Sequence, residues 1–184
     1  MQATSKTPAI FLDRDGVLIH DGGYVHKIED IHLFDDVAPS LQKLQNQGYL
    51  LIVVTNQSGV ARGYFSMNDV ERCHEEISRQ LRLSGVSIDK YLTCPHHPKG
   101  SVEGLAIKCH CRKPEPGMID QALEFYDIDL ENSYIVGDKI SDIACGAKRG
   151  IKGIQINHGQ YPLHGSPDFL AESFSEVADF ILTR

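Results

Sequence analysis

The sequence predicts an α/β fold: a doubly wound, mainly parallel sheet with helices on both faces. Two observations carry this. Short apolar runs alternate with stretches of helical periodicity along the whole chain, the pattern of repeated strand–helix units. Three of the runs end in polar clusters: Asp13-Arg14-Asp15-Gly16, Thr55-Asn56-Gln57-Ser58-Gly59, and Gly137-Asp138-Lys139 with Asp142. In open parallel sheets, ligands bind beyond the carboxyl ends of the strands.

The elements follow in order. Ala9–Leu12 is an apolar run ending in charge, a buried strand with a functional tip. Asp36 is placed to cap a helix whose apolar positions Val37, Leu41 and Leu44 recur at helical spacing, closing near Gly48. Tyr49–Val54 reads as a second buried strand, followed by a polar loop from Thr55 to Gly63. Ser66 with Asp69 has the form of a capping box, opening a helix that runs to about Ser84. Ile88–Thr93 is a third strand, ending where a Cys/His-rich stretch begins. Gly117–Tyr126 reads as helix, Tyr134–Val136 as a fourth strand and Ile140–Arg149 as a helix closed by Gly150. Lys152–Ile156 gives a fifth strand and Ser175–Leu182 a last helix. No repeat, linker or low-complexity tract interrupts them, so 1–184 is expected to be one domain.

Composition narrows the class of function. Hydrophobic residues make up 41% of the 184-residue chain and charged residues 23%, as in a soluble globular protein. No apolar run reaches the ~18 residues of a membrane span. Met1–Pro8 is short and polar, unlike a signal peptide, and a cytoplasmic location is expected. A net charge of −7 argues against binding a phosphate backbone as the main task. The expected partner is a small molecule, with no nucleic acid and no membrane, and the chain is expected to be a monomer.

Asp13 and Asp15 stand two residues apart at the tip of the first strand, so an extended backbone points both toward one face. Two carboxylates held together need a cation. Mg²⁺ favours such hard oxygen ligands, and Asp138 can add a third. One carboxylate can then attack phosphorus while its neighbour moves protons; taken alone, the tetrapeptide reads equally well as a solvated turn. The Thr55 hydroxyl and nearby backbone amides can donate to phosphoryl oxygens, although a turn before a helix also uses such a Thr. Lys113 can neutralise charge building on a transferred group. Asp142 can orient that lysine or simply stabilise a helix start.

Three of the five cysteines fall between Cys94 and Cys111. In a reducing compartment clustered cysteines point to metal rather than to disulfides. Cys94-x-His96 and Cys109-x-Cys111 offer four ligands of the types zinc prefers in a closed tetrahedral site, with His97 and His110 as neighbouring alternatives. Four protein ligands leave no position for water, so the expected role is structural. Three thiolates and one imidazole around Zn²⁺ sum to −1, a charge that Arg112 and Lys113 offset. Cys73 and Cys145 fall in helices and read as small core residues.

"FLDRDGVL", "VVTNQSG", "RKP" and "VGDKISDI" resemble the four motifs of the haloacid dehalogenase (HAD) superfamily of phosphotransferases. The resemblance implies a Rossmann-like sheet, with Asp13 as nucleophile passing through an aspartyl-phosphate and Asp15 as acid and base. It implies Thr55 and Lys113 as phosphoryl stabilisers. It also implies Asp13, the Asp15 carbonyl and Asp138 as the Mg²⁺ ligands. Superfamily dehalogenases lack the second carboxylate, so Asp15 favours phosphoryl transfer. Val17 departs from the pattern, since many members carry Thr there.

"DGGYVHKIEDIHLFDDV", "TNQSGVARGYF" and "CPHHPKGSVEGLAIKCHCRKPEPGM" are similar to the D-glycero-D-manno-heptose 1,7-bisphosphate 7-phosphatases of lipopolysaccharide-core synthesis. That resemblance implies zinc on Cys94, His96, Cys109 and Cys111, in a loop of about 94–111. The Asp21–Tyr24 segment is too short to be a separate cap domain, so loops are expected to shape the specificity pocket. Substrate contacts are expected from Asp21, Gly22, Gly23, Tyr24, Thr55, Asn56, Gln57, Ser58, Arg112, Lys113 and Lys139, and His26 lies in the loop after the first strand. Histidinol-phosphate phosphatases share the zinc loop, but with a shorter stretch between the two ligand pairs. A nucleic-acid end phosphatase and a phospho-accepting module without turnover are the remaining alternatives. Asp15, the base that turnover needs, counts against the last.

Overall fold

The computed structural model describes residues 6–158 and 166–184; most of the polar Met1–Pro8 segment lies outside them. Strand β1 is Ala9–Leu12, β2 Leu50–Asn56, β3 Lys90–Cys94, β4 Tyr134–Gly137, β5 Lys152–Ile156 and β6 Phe169–Ala171. Between them lie helices α1 (Val37–Asn46), α2 (Ser58–Ala61), α3 (Met67–Arg82), α4 (Gly117–Phe125) and α5 (Ile140–Ala147), and α6 (Phe174–Leu182) follows β6. The strands form one sheet in the order β3-β2-β1-β4-β5-β6, and every pairing is parallel.

The side-chain period of two divides the core. Ile10 and Leu12 of β1, with Leu51 and Val53 of β2, pack against apolar residues of α1, α3 and α6. Ala9 and Phe11, with Ile52 and Val54, face the other way, toward Met118, Ile119 and Ala122 of α4 and Cys145 of α5. Each fully buried Ile or Leu contributes about 1.5–3 kcal/mol of transfer free energy, so both layers hold the sheet. The chain winds from β1 out to β3 on one side, then from β4 out to β6 on the other. The direction reverses between β1 and β4, which opens a crevice at their carboxyl ends. That crevice receives the tips carrying Asp13 and Asp138.

Several boundaries differ from the sequence reading. β6 is a sixth strand, pairing Phe169, Leu170 and Ala171 with Ile154, Gln155 and Ile156. β2 runs on through Thr55 and Asn56, which pair with Thr93 and Cys94 of β3. Four residues of the expected loop, Ser58–Ala61, form α2. Asp36 stands at the start of α1, but its side chain does not cap that helix. Asp36 Oδ2 instead accepts a hydrogen bond from the Ser175 amide at 2.9 Å, tying α1 to α6. The Ser66–Asp69 capping box is present in both halves. Among the described residues, no helix is long and apolar enough to cross a membrane. The connections 13–36 and 95–116 supply Asp21, Gly23, Tyr24 and Arg112 to the wall of the crevice.

Candidate active site

The tip of β1 is pinned by the Asp13 amide, which donates to Val136 O on β4 at 2.9 Å. Asp13 and Asp15 both line a cleft of about 430 Å³, while Arg14 between them is fully buried. The turn that follows depends on Gly16, whose φ of 79° lies in the left-handed region. A Cβ there would stand 2.3 Å from Asp138 Oδ2, so only glycine lets the β4 tip come this close.

Lys113 reaches the same place from the far side. Its Nζ lies 3.0 Å from Asp13 Oδ1 and 2.6 Å from Asp142 Oδ1, and donates to Val54 O at 2.7 Å. Burial alone would pull this ammonium's pKa down. The Asp13 and Asp142 carboxylates overcome that and hold it above the ordinary lysine value. The Lys113 backbone is gripped as well: its N–H donates to Asn56 Oδ1 at 3.1 Å, and Asn56 Nδ2 donates to its carbonyl at 3.2 Å. A cation held this close to a carboxylate at a cleft suits the neutralisation of anionic oxygens.

Asp13, Asp138 and Asp142 are buried, and each offers a carboxylate oxygen within 4.8 Å of the others. Burial, then the Asp13 charge, pushes the Asp138 carboxyl up to about 7. Three crowded carboxylates share a shortage of positive charge, and hard oxygen donors of this kind fit a divalent cation. Asp142 is committed to Lys113, which directs the fit to Asp13 and Asp138. The Asp15 carboxylate stands apart from the cluster, bonded to Arg14 and Gln57. Burial raises its pKa, and the Arg14 charge offsets part of that rise.

The Cys/His segment forms a second cluster. Cys94 Sγ lies 3.5 Å from Cys109 Sγ, 3.2 Å from Cys111 Sγ and 3.8 Å from His96 Nδ1, and Cys111 Sγ lies 3.3 Å from both Cys109 Sγ and His96 Nδ1. Zinc–sulfur bonds of ~2.3 Å in a tetrahedron place neighbouring ligands ~3.8 Å apart, so these four fit one such ion. Burial, and then the hydrogen bond with Cys111, push the Cys94 thiol up. The alternatives fall elsewhere: His97 sits against Arg62 and Lys99, and His110 against Asp120. The loop also docks on α2, where Ser101 and Val102 donate their amides to Ala61 O at 2.8 and 2.9 Å.

Of the residues expected at the substrate, Asp21, Gly23, Tyr24, Asn56, Gln57, Ser58, Arg112, Lys113 and Lys139 line the cleft. Thr55 is fully buried beneath it and accepts from Gln57 Nε2 through its hydroxyl at 2.9 Å. Gly22 stands beside the lining, and His26 stacks on Phe65 at 4.8 Å. Lys139 Nζ lies 3.2 Å from Asp138 Oδ2 and 3.5 Å from Asp21 Oδ2. Arg112 Nη1 donates to His96 O at 3.2 Å, which ties this cation to the Cys/His cluster. Ser141, which sequence reasoning passed over, joins the lining at the start of α5. Its only signal was its place inside "VGDKISDI".

A HAD-hydrolase-like family model matches residues 110–177. The chain is 45% identical over 146 residues to a D-glycero-beta-D-manno-heptose-1,7-bisphosphate 7-phosphatase of Salmonella typhi, covering 79% of this chain and 78% of that one. It is 44% identical over 147 residues to the D-glycero-alpha-D-manno-heptose-1,7-bisphosphate 7-phosphatase of Photorhabdus laumondii, covering 80% of each. Among solved structures, the D,D-heptose 1,7-bisphosphate phosphatase from B. bronchiseptica, complexed with magnesium and phosphate, superposes with a TM-score of 0.81. The identity there is 28%, over 96% of this chain and 98% of that one.

Proposed function

The chain belongs to the D-glycero-D-manno-heptose-1,7-bisphosphate 7-phosphatases of the HAD superfamily, and from that premise we propose that it hydrolyses the 7-phosphate of the heptose bisphosphate through an aspartyl-phosphate on Asp13. The product belongs to the synthesis of lipopolysaccharide-core heptose. The observation that carries the mechanism is the meeting of Asp13, Asp15 and Lys113 in one cleft.

An Asp13 oxygen attacks phosphorus, and the bond from phosphorus to the sugar oxygen breaks. That oxygen takes the proton from Asp15. A water then attacks the aspartyl-phosphate, giving its proton to Asp15, and the Asp13–phosphorus bond breaks to release phosphate. Lys113 meets the charge on the transferred group, and the Thr55 hydroxyl donates to it. Mg²⁺ on Asp13, Asp138 and the Asp15 carbonyl would neutralise phosphoryl charge when bound. Zn²⁺ on Cys94, His96, Cys109 and Cys111 would hold the loop that carries Arg112. Arg112, together with Lys139 and the Asp21–Tyr24 rim, meets the part of the substrate that is not transferred.

The test is a panel of both heptose bisphosphate anomers, histidinol phosphate and a 5′-phosphorylated oligonucleotide. A kcat/KM for one bisphosphate anomer at least about 100-fold above the other classes is expected, the discrimination that a bound second phosphate can supply. Histidinol phosphate turned over equally well would overturn the sugar assignment.

A further inference from the structure

Arg14 lies between the two reacting carboxylates in sequence but, unlike them, does not line the cleft. Its side chain is wholly buried. Nε donates to Asp15 Oδ1 and Oδ2 at 3.2 and 3.1 Å, and Nη2 donates to Asp15 Oδ1 at 2.9 Å. The same Nη2 donates to Val25 O at 2.7 Å and to Gln57 Oε1 at 3.2 Å. Gln57 completes the circuit, with Nε2 donating to Asp15 Oδ2 at 2.8 Å and to Thr55 Oγ1 at 2.9 Å. Both oxygens of Asp15 are therefore held from behind. The Gln57 amide has one workable orientation, because turning it over would set its NH₂ against the guanidinium.

This arrangement is costly. A buried guanidinium loses its hydration, and Nη1 has no partner among the described residues. An apolar side chain of similar size would often serve the core as well or better. A planar fork has one property that no apolar residue shares: it fixes the plane of a carboxylate. Val25 adds a second constraint, since it follows the Asp21–Tyr24 rim directly in the chain.

We infer that Arg14 is a positioning residue for proton transfer. With Gln57 it sets the plane of the Asp15 carboxylate toward the leaving oxygen, and through Val25 it keeps the substrate rim in register with that carboxylate. The inference rests on the reading of Asp15 as the proton donor.

The experiment compares first-turnover rates on an alkyl phosphate, whose leaving oxygen needs a proton, with those on p-nitrophenyl phosphate, whose leaving group departs as a stable anion. Asp15→Asn serves as the benchmark beside Arg14→Met, Arg14→Lys and Gln57→Leu, with each variant's fold checked by its thermal transition. Arg14→Met should lose about 100-fold on the alkyl phosphate and far less on the aryl one, the scale of general-acid assistance. Arg14→Lys should recover part of the loss, and Gln57→Leu should show a smaller loss of the same selectivity. Should Arg14→Met fail to fold, Arg14→Lys carries the comparison, because it keeps the charge and removes the fork. Equal losses on both substrates in folded Arg14 variants, with Asp15→Asn still selective, would overturn the positioning role and leave Asp15 as the acid. An unselective Asp15→Asn would overturn both.

Discussion

Lys113 Nζ lies 2.6 Å from Asp142 Oδ1, and each side chain is only 1% exposed. Removing one member of a buried ion pair strands the other charge, at a cost of about 3–5 kcal/mol. Lys113→Ala is therefore expected to lower stability as well as kcat, and to lower kcat on every phosphate ester alike. Denaturant unfolding and two-substrate kinetics measure both. Normal stability would mean that Asp142 had found another partner, and a loss confined to one substrate would assign Lys113 to recognition.

Asp13→Asn keeps the side-chain volume and removes the attacking charge. Turnover should fall by several orders of magnitude while the thermal transition survives. Retention of more than about a tenth of the activity, a barrier change under ~1.4 kcal/mol, would rule out covalent catalysis by Asp13.

Arg112 opens onto the cleft and is fixed at its far end to His96 O. A charged contact from its guanidinium to the second phosphate, worth roughly 1.5–3 kcal/mol, predicts a loss of about 10- to 150-fold in kcat/KM for the bisphosphate in Arg112→Ala. A simple aryl phosphate should lose little. Matching losses on both substrates would place Arg112 at the reacting phosphate instead.

Metal analysis of protein purified without added zinc should find about one Zn²⁺ per chain. Cys109→Ser should lower that content and make the 95–108 stretch susceptible to proteolysis. The kinetic loss should again fall chiefly on the bisphosphate. Full stability and activity with no zinc bound would remove the case for a structural ion.

His74 provides a pH signature away from the reacting groups. It is buried against Tyr91, and burial first, then the Arg14 charge, lowers its pKa to about 3. A histidine kept neutral in the fold but free to protonate with the ordinary histidine pKa of 6.5 when unfolded stabilises fully above pH 6.5 and loses that contribution as pH falls toward 3. Within the window the slope is up to about 1.4 kcal/mol per pH unit. His74→Phe should flatten the stability profile between about pH 6 and 4. An unchanged slope would show that His74 protonates without unfolding.

Much of this architecture was legible because it is local. The Ser66–Asp69 box lies within four residues, and the apolar runs of β1, β4 and β5 bury nearly every side chain. The motif residues that end the strands come together because parallel strands bring their carboxyl ends to one edge. What escaped the sequence depends on distant partners. β6 has three residues, of which Leu170 is exposed, and it becomes a strand only by pairing with β5. Asp36 passes over its own helix for Ser175, 139 residues away. Arg14 read as part of a polar tip; its burial follows from Val25 and Gln57 closing over it, which no local pattern encodes.

The two-way grip between Asn56 and Lys113 separates inheritance of chemistry from inheritance of taste. The lysine is held by the β2 tip through Asn56 and Val54, whereas Arg112 is held by the Cys/His cluster. The loop between the two ligand pairs can therefore be lengthened, shortened or exchanged without detuning the ammonium that faces Asp13. That one excursion of the chain can diverge in length and sequence while the grip that sets Lys113 beside Asp13 passes down intact.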